Sequence, residues 1–286
     1  MDAEARKIYL ARGAEIDILN ADSGAVVGQI PVGGSISAIT VVPDRKRGFA
    51  ANSDANTISI FDTQSGTILK TVKLSGKAPS DITFDEGSKR IFVAIRDSGS
   101  VIVFDCDSSE IVGSVEFGGK TGSLAANGYG HLFVTAPGTN MIHVVDTNNL
   151  KALGDIPADA GKDCTGLALD PVGRRLFVSC ADGRIDVIDA DNGATFEELK
   201  GGFGPAVGLF TFLPTGKDGW KGAAFFANAD GTLTAVKMNA FISYEVGATA
   251  KLSKGVQSIA FDLRSHHILV AAPANANNWQ VLVLSQ

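Results

Sequence analysis

The sequence predicts an all-β fold made of seven copies of one small strand unit, and three observations carry that prediction. An alternating apolar segment, usually ending in Asp at the start of a turn, occurs seven times: Ile16–Asn20, Ile58–Asp62, Val101–Asp105, Ile142–Asp146, Ile185–Asp189, Leu233–Lys237 and Val281–Ser285. The ends of these segments are 42, 43, 41, 43, 48 and 48 residues apart. The chain also carries 33 glycines and 45% hydrophobic residues, a balance that suits many short strands joined by tight turns. A fixed period of this size, with strands as the only elements, is the signature of a β-propeller with one blade per repeat.

The fifth repeat shows the unit most cleanly. Thr165–Leu169 is a short apolar strand, and Asp170-Pro-Val-Gly173 supplies turn residues. Arg175–Ser179 forms the second strand, and Ala181-Asp-Gly183 closes a hairpin. Arg184–Asp189 alternates as the third strand, Asp191-Asn-Gly193 turns the chain, and Ala194–Leu199 is the outer strand. The same division fits Ser37–Val72, Ser80–Phe117, Gly122–Ile156 and, with longer loops and an insertion at Gly216–Gly222, Val207–Ala250. The first repeat shows only strands two to four and the last only strands one to three, so the two end blades are each three-stranded. Residues 1–286 thus read as one propeller domain with repeats near 1–36, 37–79, 80–121, 122–164, 165–206, 207–256 and 257–286. Neither end carries a spare closing strand, and residues preceding Met1 in the natural protein are expected to supply it.

A chain of this length buries roughly three quarters of its unfolded surface and needs no staple to be stable. The net charge of −6 and pI near 5.2 argue against general nucleic-acid binding. No apolar run is long enough to span a membrane, and the first residues lack the apolar core of a signal peptide.

Two segments carry a family resemblance: Gly48-Phe-Ala-Ala-Asn-Ser-Asp-Ala-Asn-Thr-Ile-Ser-Ile-Phe-Asp-Thr-Gln-Ser-Gly66 and Leu176-Phe-Val-Ser-Cys-Ala-Asp-Gly-Arg-Ile-Asp-Val-Ile-Asp-Ala-Asp-Asn-Gly193. They resemble the YVTN repeat of YncE-like seven-bladed propellers. The resemblance implies the fold and, because many members are exported, a periplasmic, extracellular or cell-surface location. The motif's Asn is present at Asn52 and Asn228, while Arg12, Ile95, Ala136, Cys180 and Ala272 fill that slot elsewhere.

No catalytic set is assembled by the sequence. His131 and His267 begin second strands, His266 lies beside the latter, and His143 sits within a third strand, none at a metal-ligand spacing. No serine lies on a nucleophile elbow, and among first strands only Asp81 offers a carboxylate near the centre. Gly118-Gly-Lys-Thr121 lacks the first glycine of a phosphate loop, which falls at Ser114, and is followed by a strand. The recurring Asp is read as a turn residue that accepts backbone amides. No cofactor or metal is expected.

Counting outward from the first hairpin of the fifth repeat places Cys164 opposite Cys180, a pair that fits a disulfide, with Cys106 left single. Four of the six links between blades carry a lysine beside a glycine: Lys77, Lys120, Lys162 and Lys254. Arg12 and Arg96, in second-to-third-strand loops, point to the same face, as do the motif residues Asn52 and Asn228. A ring of one charge sign attracts ligands of the other. The expected function is therefore a non-enzymatic propeller that binds an anionic small ligand or a protein partner at this loop face. Single-stranded DNA is disfavoured, because the few aromatics read as core. Two alternatives stay open: a propeller enzyme or redox-associated domain of lyase or lactonase type, and a cell-surface structural module.

Overall fold

The structure, a computed structural model, describes residues 1–158, 161, 163–214, 220–240, 243–256, 258–275 and 278–284. It is an all-β, seven-bladed β-propeller. The first blade has three strands, β1 (Lys7–Arg12), β2 (Glu15–Asn20) and β3 (Val26–Pro31). The second has β4 (Ile36–Val42), β5 (Arg47–Asn52), β6 (Thr57–Asp62) and β7 (Ile68–Lys73). The third has β8 (Pro79–Asp85), β9 (Arg90–Ile95), β10 (Ser100–Asp105) and β11 (Ile111–Glu116). The fourth has β12 (Leu124–Ala126), β13 (His131–Ala136), β14 (Met141–Asp146) and β15 (Lys151–Pro157). The fifth has β16 (Cys164–Asp170), β17 (Arg175–Cys180), β18 (Arg184–Asp189) and β19 (Thr195–Lys200). The sixth has β20 (Ala206–Pro214), β21 (Trp220–Asn228), β22 (Thr232–Ala240) and β23 (Ser243–Lys251). The seventh has β24 (Ser258–Asp262), β25 (His267–Asn275) and β26 (Asn278–Leu284). Among the described residues the strand pairings are antiparallel and join chain neighbours within a blade.

Two compact units divide the chain, one of Met1–Val134 with His143–Gly154 and one of Thr135–Ile142 with Asp155–Gln286. In the first unit, Phe49, Ile58 and Ile60 of the second blade pack with Ile91, Val93 and Phe104 of the third. In the second unit, Phe177, Ile185 and Val187 of the fifth blade pack with Phe226, Val236 and Tyr244 of the sixth. The third residue of the second strand is a fully buried phenylalanine at Phe49, Phe92 and Phe133. Burying such a ring contributes roughly 2–3 kcal/mol each.

Where it occurs, at Asp62, Asp105, Asp146 and Asp189, the recurring Asp closes the turn after the third strand. Asp62 Oδ1 accepts the amides of Gln64 and Ser65 at 2.8 and 2.7 Å, and Asp189 Oδ1 accepts those of Asp191 and Asn192 at 2.9 and 3.1 Å. Asn20 does the same for Asp22 and Ser23. The Ser65 amide holds the Asp62 carboxyl below its ordinary value, and the Ser108 amide does so for Asp105. These carboxylates are turn caps.

One local expectation changes. Part of the segment read as an insertion in the sixth repeat is strand: Trp220, Lys221 and Gly222 pair with Pro214, Leu213 and Phe212, so the first hairpin of this blade is lengthened by continued pairing. The apolar run Phe210-Thr-Phe-Leu213 supplies the extra strand length, and Gly222 leaves room for the Phe210 ring, whose Cζ would lie 2.6 Å from a Cβ there.

Candidate ligand-binding face

The links between blades and the second-to-third-strand loops lie on one face within each unit, because they are laced together by backbone hydrogen bonds. In the first unit the Ile36 amide donates to Gly13 O at 3.1 Å and the Leu74 amide to Asn56 O at 2.9 Å. In the second unit the Gly201 amide donates to Gly183 O at 2.7 Å and the Leu252 amide to Gly231 O at 2.6 Å.

Why glycine recurs in the links follows from what lies beneath it. A Cβ on Gly34 would lie 3.3 Å from Asn52 Cβ, one on Gly76 2.4 Å from Ile95 Cγ2, and one on Gly202 2.4 Å from Asn228 Nδ2. A Cβ on Gly161 would lie 2.4 Å from Cys180 Sγ. Each glycine therefore rests on the last residue of a second strand, the slot in which the repeat motif places Asn.

Asn52 and Asn228 are 1% and 0% exposed, so both are seats for links and neither faces solvent. Asn52 Nδ2 donates to Thr57 Oγ1 and Ser59 Oγ, both at 2.9 Å. Asn228 Nδ2 lies within 3.1–3.2 Å of Phe226 O, Thr232 O, Thr232 Oγ1 and Thr234 Oγ1, and Thr234 Oγ1 in turn accepts the Gly202 amide at 3.0 Å. Cys164 and Cys180 are register partners and are joined by a disulfide, while Cys106 is a buried free thiol. Burial pushes the Cys106 thiol up to about 11.

The cations divide into three groups. Arg12 donates to Asp17 at 2.6 Å and to Glu15 at 2.9 Å, so its charge is already matched. Lys162 lies outside the described residues. Lys77, Arg96, Lys120 and Lys254 are exposed, and among the described residues no carboxylate lies within ion-pair distance of any of them. Arg96 is bracketed by two links: its amide donates to Ala78 O at 3.2 Å, and its carbonyl accepts the Thr121 amide at 3.3 Å. Lys77 and Lys120 are the residues immediately before Ala78 and Thr121. The fold thus gathers Lys77, Arg96 and Lys120 on one patch of the first unit. The same loops also carry acidic residues, Asp54 and Asp97 here and Asp182 and Asp230 in the second unit, so the face has mixed charge.

Asp81 has a role the sequence does not announce. Its Oδ2 accepts the Leu124 amide at 2.8 Å, and Asp85 Oδ1 accepts the Gly128 amide at 3.1 Å. The two carboxylates of β8 therefore bracket β12, which is only three residues long. The Asp81 side chain keeps part of its surface open although it lies deep among protein atoms. Burial pushes its carboxyl up to about 6, against the Leu124 and Ile82 amides, which pull it down. Among the described residues no group of three or more His, Cys, Asp or Glu side chains is placed to hold a metal ion. His143 stacks on Phe117 with ring centroids 4.4 Å apart.

Residues 14–116 match the family described as Lactonase, 7-bladed beta-propeller, which is less than half of the chain. No curated protein sequence matches. Among solved structures, one described as Kuenenia stuttgartiensis hydrazine synthase is similar, with a TM-score of 0.82 at 16% identity over 100% of this chain and 94% of that one. No helix of the described residues is long and apolar enough to cross a membrane. At that identity the structural likeness speaks to architecture alone, and it agrees with the family match on one point: the chain folds as a seven-bladed β-propeller.

Proposed function

We propose that this propeller is a binding protein whose link face takes an anionic ligand or an acidic segment of a partner. The observation that carries this reading is the patch of Lys77, Arg96 and Lys120, held together by the two backbone bonds to Arg96. Loops fixed at both ends keep these charges in place, so binding requires little further ordering. The disulfide, together with the resemblance to exported propellers, supports an oxidising compartment.

The test is binding of inorganic polyphosphate and of an acidic peptide, measured by calorimetry at two salt concentrations. Affinity is expected to fall as salt rises, and the triple variant Lys77→Ala, Arg96→Ala, Lys120→Ala is expected to lose at least about tenfold, or 1.4 kcal/mol. Binding that ignores both salt and the triple variant would overturn the reading.

A second reading is lactone hydrolysis with Asp81 as general base, favoured by the partial family match, which includes Asp81, and by its carboxyl at about 6. Both of its oxygens are engaged by amides, which makes the structural role the better supported one. Proton release from δ-lactones that disappears in Asp81→Asn would reverse the order.

A further inference from the structure

Phe203 is 60% exposed, in the link between the fifth and sixth blades, although the other large aromatic rings of the second unit's core are buried or half-buried. It is not a loose side chain on a loose loop. Its amide donates to Asp230 Oδ2 at 2.8 Å, and its carbonyl accepts the Asp230 amide at 3.2 Å. On either side, the Gly204 amide donates to Ala181 O at 2.9 Å and the Ala229 amide to Pro205 O at 2.9 Å. The ring rests on Gly183: a Cβ there would lie 2.9, 3.1 and 3.2 Å from Cε1, Cδ1 and Cζ. Such nearly equal distances to three consecutive ring atoms describe an approach over the flat face, since an approach in the ring plane would leave the outer two much farther away. One face of the ring is therefore covered by backbone, and the opposite face is the open one.

Charges of both signs stand beside this platform. The stem of Lys254 runs along Gly231, where a Cβ would lie 3.3 Å from Lys254 Cγ, and Gly231 follows the Asp230 that clamps Phe203. Asp230 is spent on the fold: burial pushes its carboxyl up, but the Phe203 and Thr232 amides and the Thr232 hydroxyl outweigh this and hold it below its ordinary value. Asp182 is exposed beside Gly183, and its Oδ1 accepts the Arg184 amide at 3.3 Å.

From this geometry we infer a carbohydrate subsite: the open face of Phe203 stacks the C–H face of a pyranose ring, with Asp182 and Lys254 bonding hydroxyls at its rim. A buried-on-one-side ring suits a flat ligand that lies on it, whereas an anchor that plugs into a partner's pocket must be free on both faces. Sugar hydroxyls both donate and accept, so a carboxylate and an ammonium serve them equally. An aromatic anion or cation would instead meet a charge of its own sign at one side of the platform, Asp182 or Lys254 respectively. A few fixed polar groups around an apolar surface is the usual composition of a small-ligand site. This inference does not depend on Lys77, Arg96 or Lys120.

The test is ligand-observed NMR with cellotriose, whose equatorial hydroxyls leave flat C–H faces. Wild-type protein is expected to bind, Phe203→Ala to lose at least about tenfold in affinity, and Phe203→Trp to retain it. Asp182→Ala and Lys254→Ala should each weaken binding about threefold, and thermal unfolding of all four variants should match wild type. Lys77→Ala with Lys120→Ala should leave cellotriose binding unchanged. Absence of binding to wild type, or equal binding by Phe203→Ala, would overturn the subsite even if polyphosphate still binds; loss in the Lys77/Lys120 variant would also overturn it, by placing the sugar elsewhere.

Discussion

Two links that seat on asparagine, 32–35 and 201–205, differ instructively from the two that seat on Ile95 and Cys180. Over Asn52 and Asn228 the seat is a hydrogen-bonded amide, and no lysine follows the glycine. Over Ile95 the seat is mainly apolar, with the Ser98 hydroxyl beside it, over Cys180 it is covalent, and in both links the next residue is lysine. The repeat thus solves one packing problem, a link glycine pressed on a strand end, with three chemistries. A lysine appears where the seat is not an amide.

The covalent seat should be the costliest to break. Reducing Cys164–Cys180, whose ends are separated by 16 positions in sequence, should cost about 3 kcal/mol, read as a drop in unfolding temperature with dithiothreitol. Under denaturing conditions without reductant one thiol should titrate, and in the native protein none, because Cys106 is buried and its thiol is pushed up to about 11.

Next comes steric access to the amide seat. Gly202→Ala places a Cβ 2.1 Å from Thr232 Oγ1 and 2.4 Å from Asn228 Nδ2, and should destabilise by about 2–3 kcal/mol. Gly34→Ala meets only contacts of 3.3 Å and should cost well under about 1 kcal/mol in the same urea titration. Equal effects would mean that the two asparagine seats are not distinguished by their clearance.

The hydrogen-bonded seats should also rank. Asn228→Ala strips a donor from two carbonyls and two hydroxyls and should cost about 2 kcal/mol. Asn52→Ala strips one from two hydroxyls, which can turn to other partners, and should cost about 1 kcal/mol.

A pH-dependent effect of similar size belongs to the link 117–123, whose Gly118 and Gly119 rest on nothing within 4 Å of a Cβ. Here Asp81 and Asp85 hold β12 instead. With its folded carboxyl at about 6 against an ordinary value of 3.8, Asp81 keeps its proton better in the folded state. Its contribution to stability is complete below about pH 4 and is lost as pH rises through 6, a fall of about 1 kcal/mol once its partial exposure is discounted. Asp81→Asn should flatten stability between pH 4 and 6; an unchanged slope would remove Asp81 as its source.

The fold was legible because its determinants are local and repeated: period, alternation and an Asp at each turn. Cys164 does face Cys180, as counted from the hairpin, but the pairing from Gly166 to Ser179 is one residue out of that register, and a bulge at Thr165 brings the two cysteines opposite each other. What escaped depends on neighbours distant in sequence. Nothing in the word Gly-Gly-Phe-Gly204 says that its phenylalanine is left outside, because that follows from Gly183 below and Asp230 beside it. Nor does Asp81 advertise that it caps a strand 43 residues on. The lysines were visible as letters, whereas their grouping around Arg96 required the two bonds to its backbone.

Repeats built to one pattern invite a hazard during folding: a strand can dock in the right place on the wrong copy. The varied seats make the junctions over asparagine, Ile95 and Cys180 fit differently. A glycine link fitted to a compact amide cannot settle equally well over Ile95, and only one strand pair can close a disulfide. Divergence at a single slot, the end of the second strand, thus works against mispairing between modules whose seats differ.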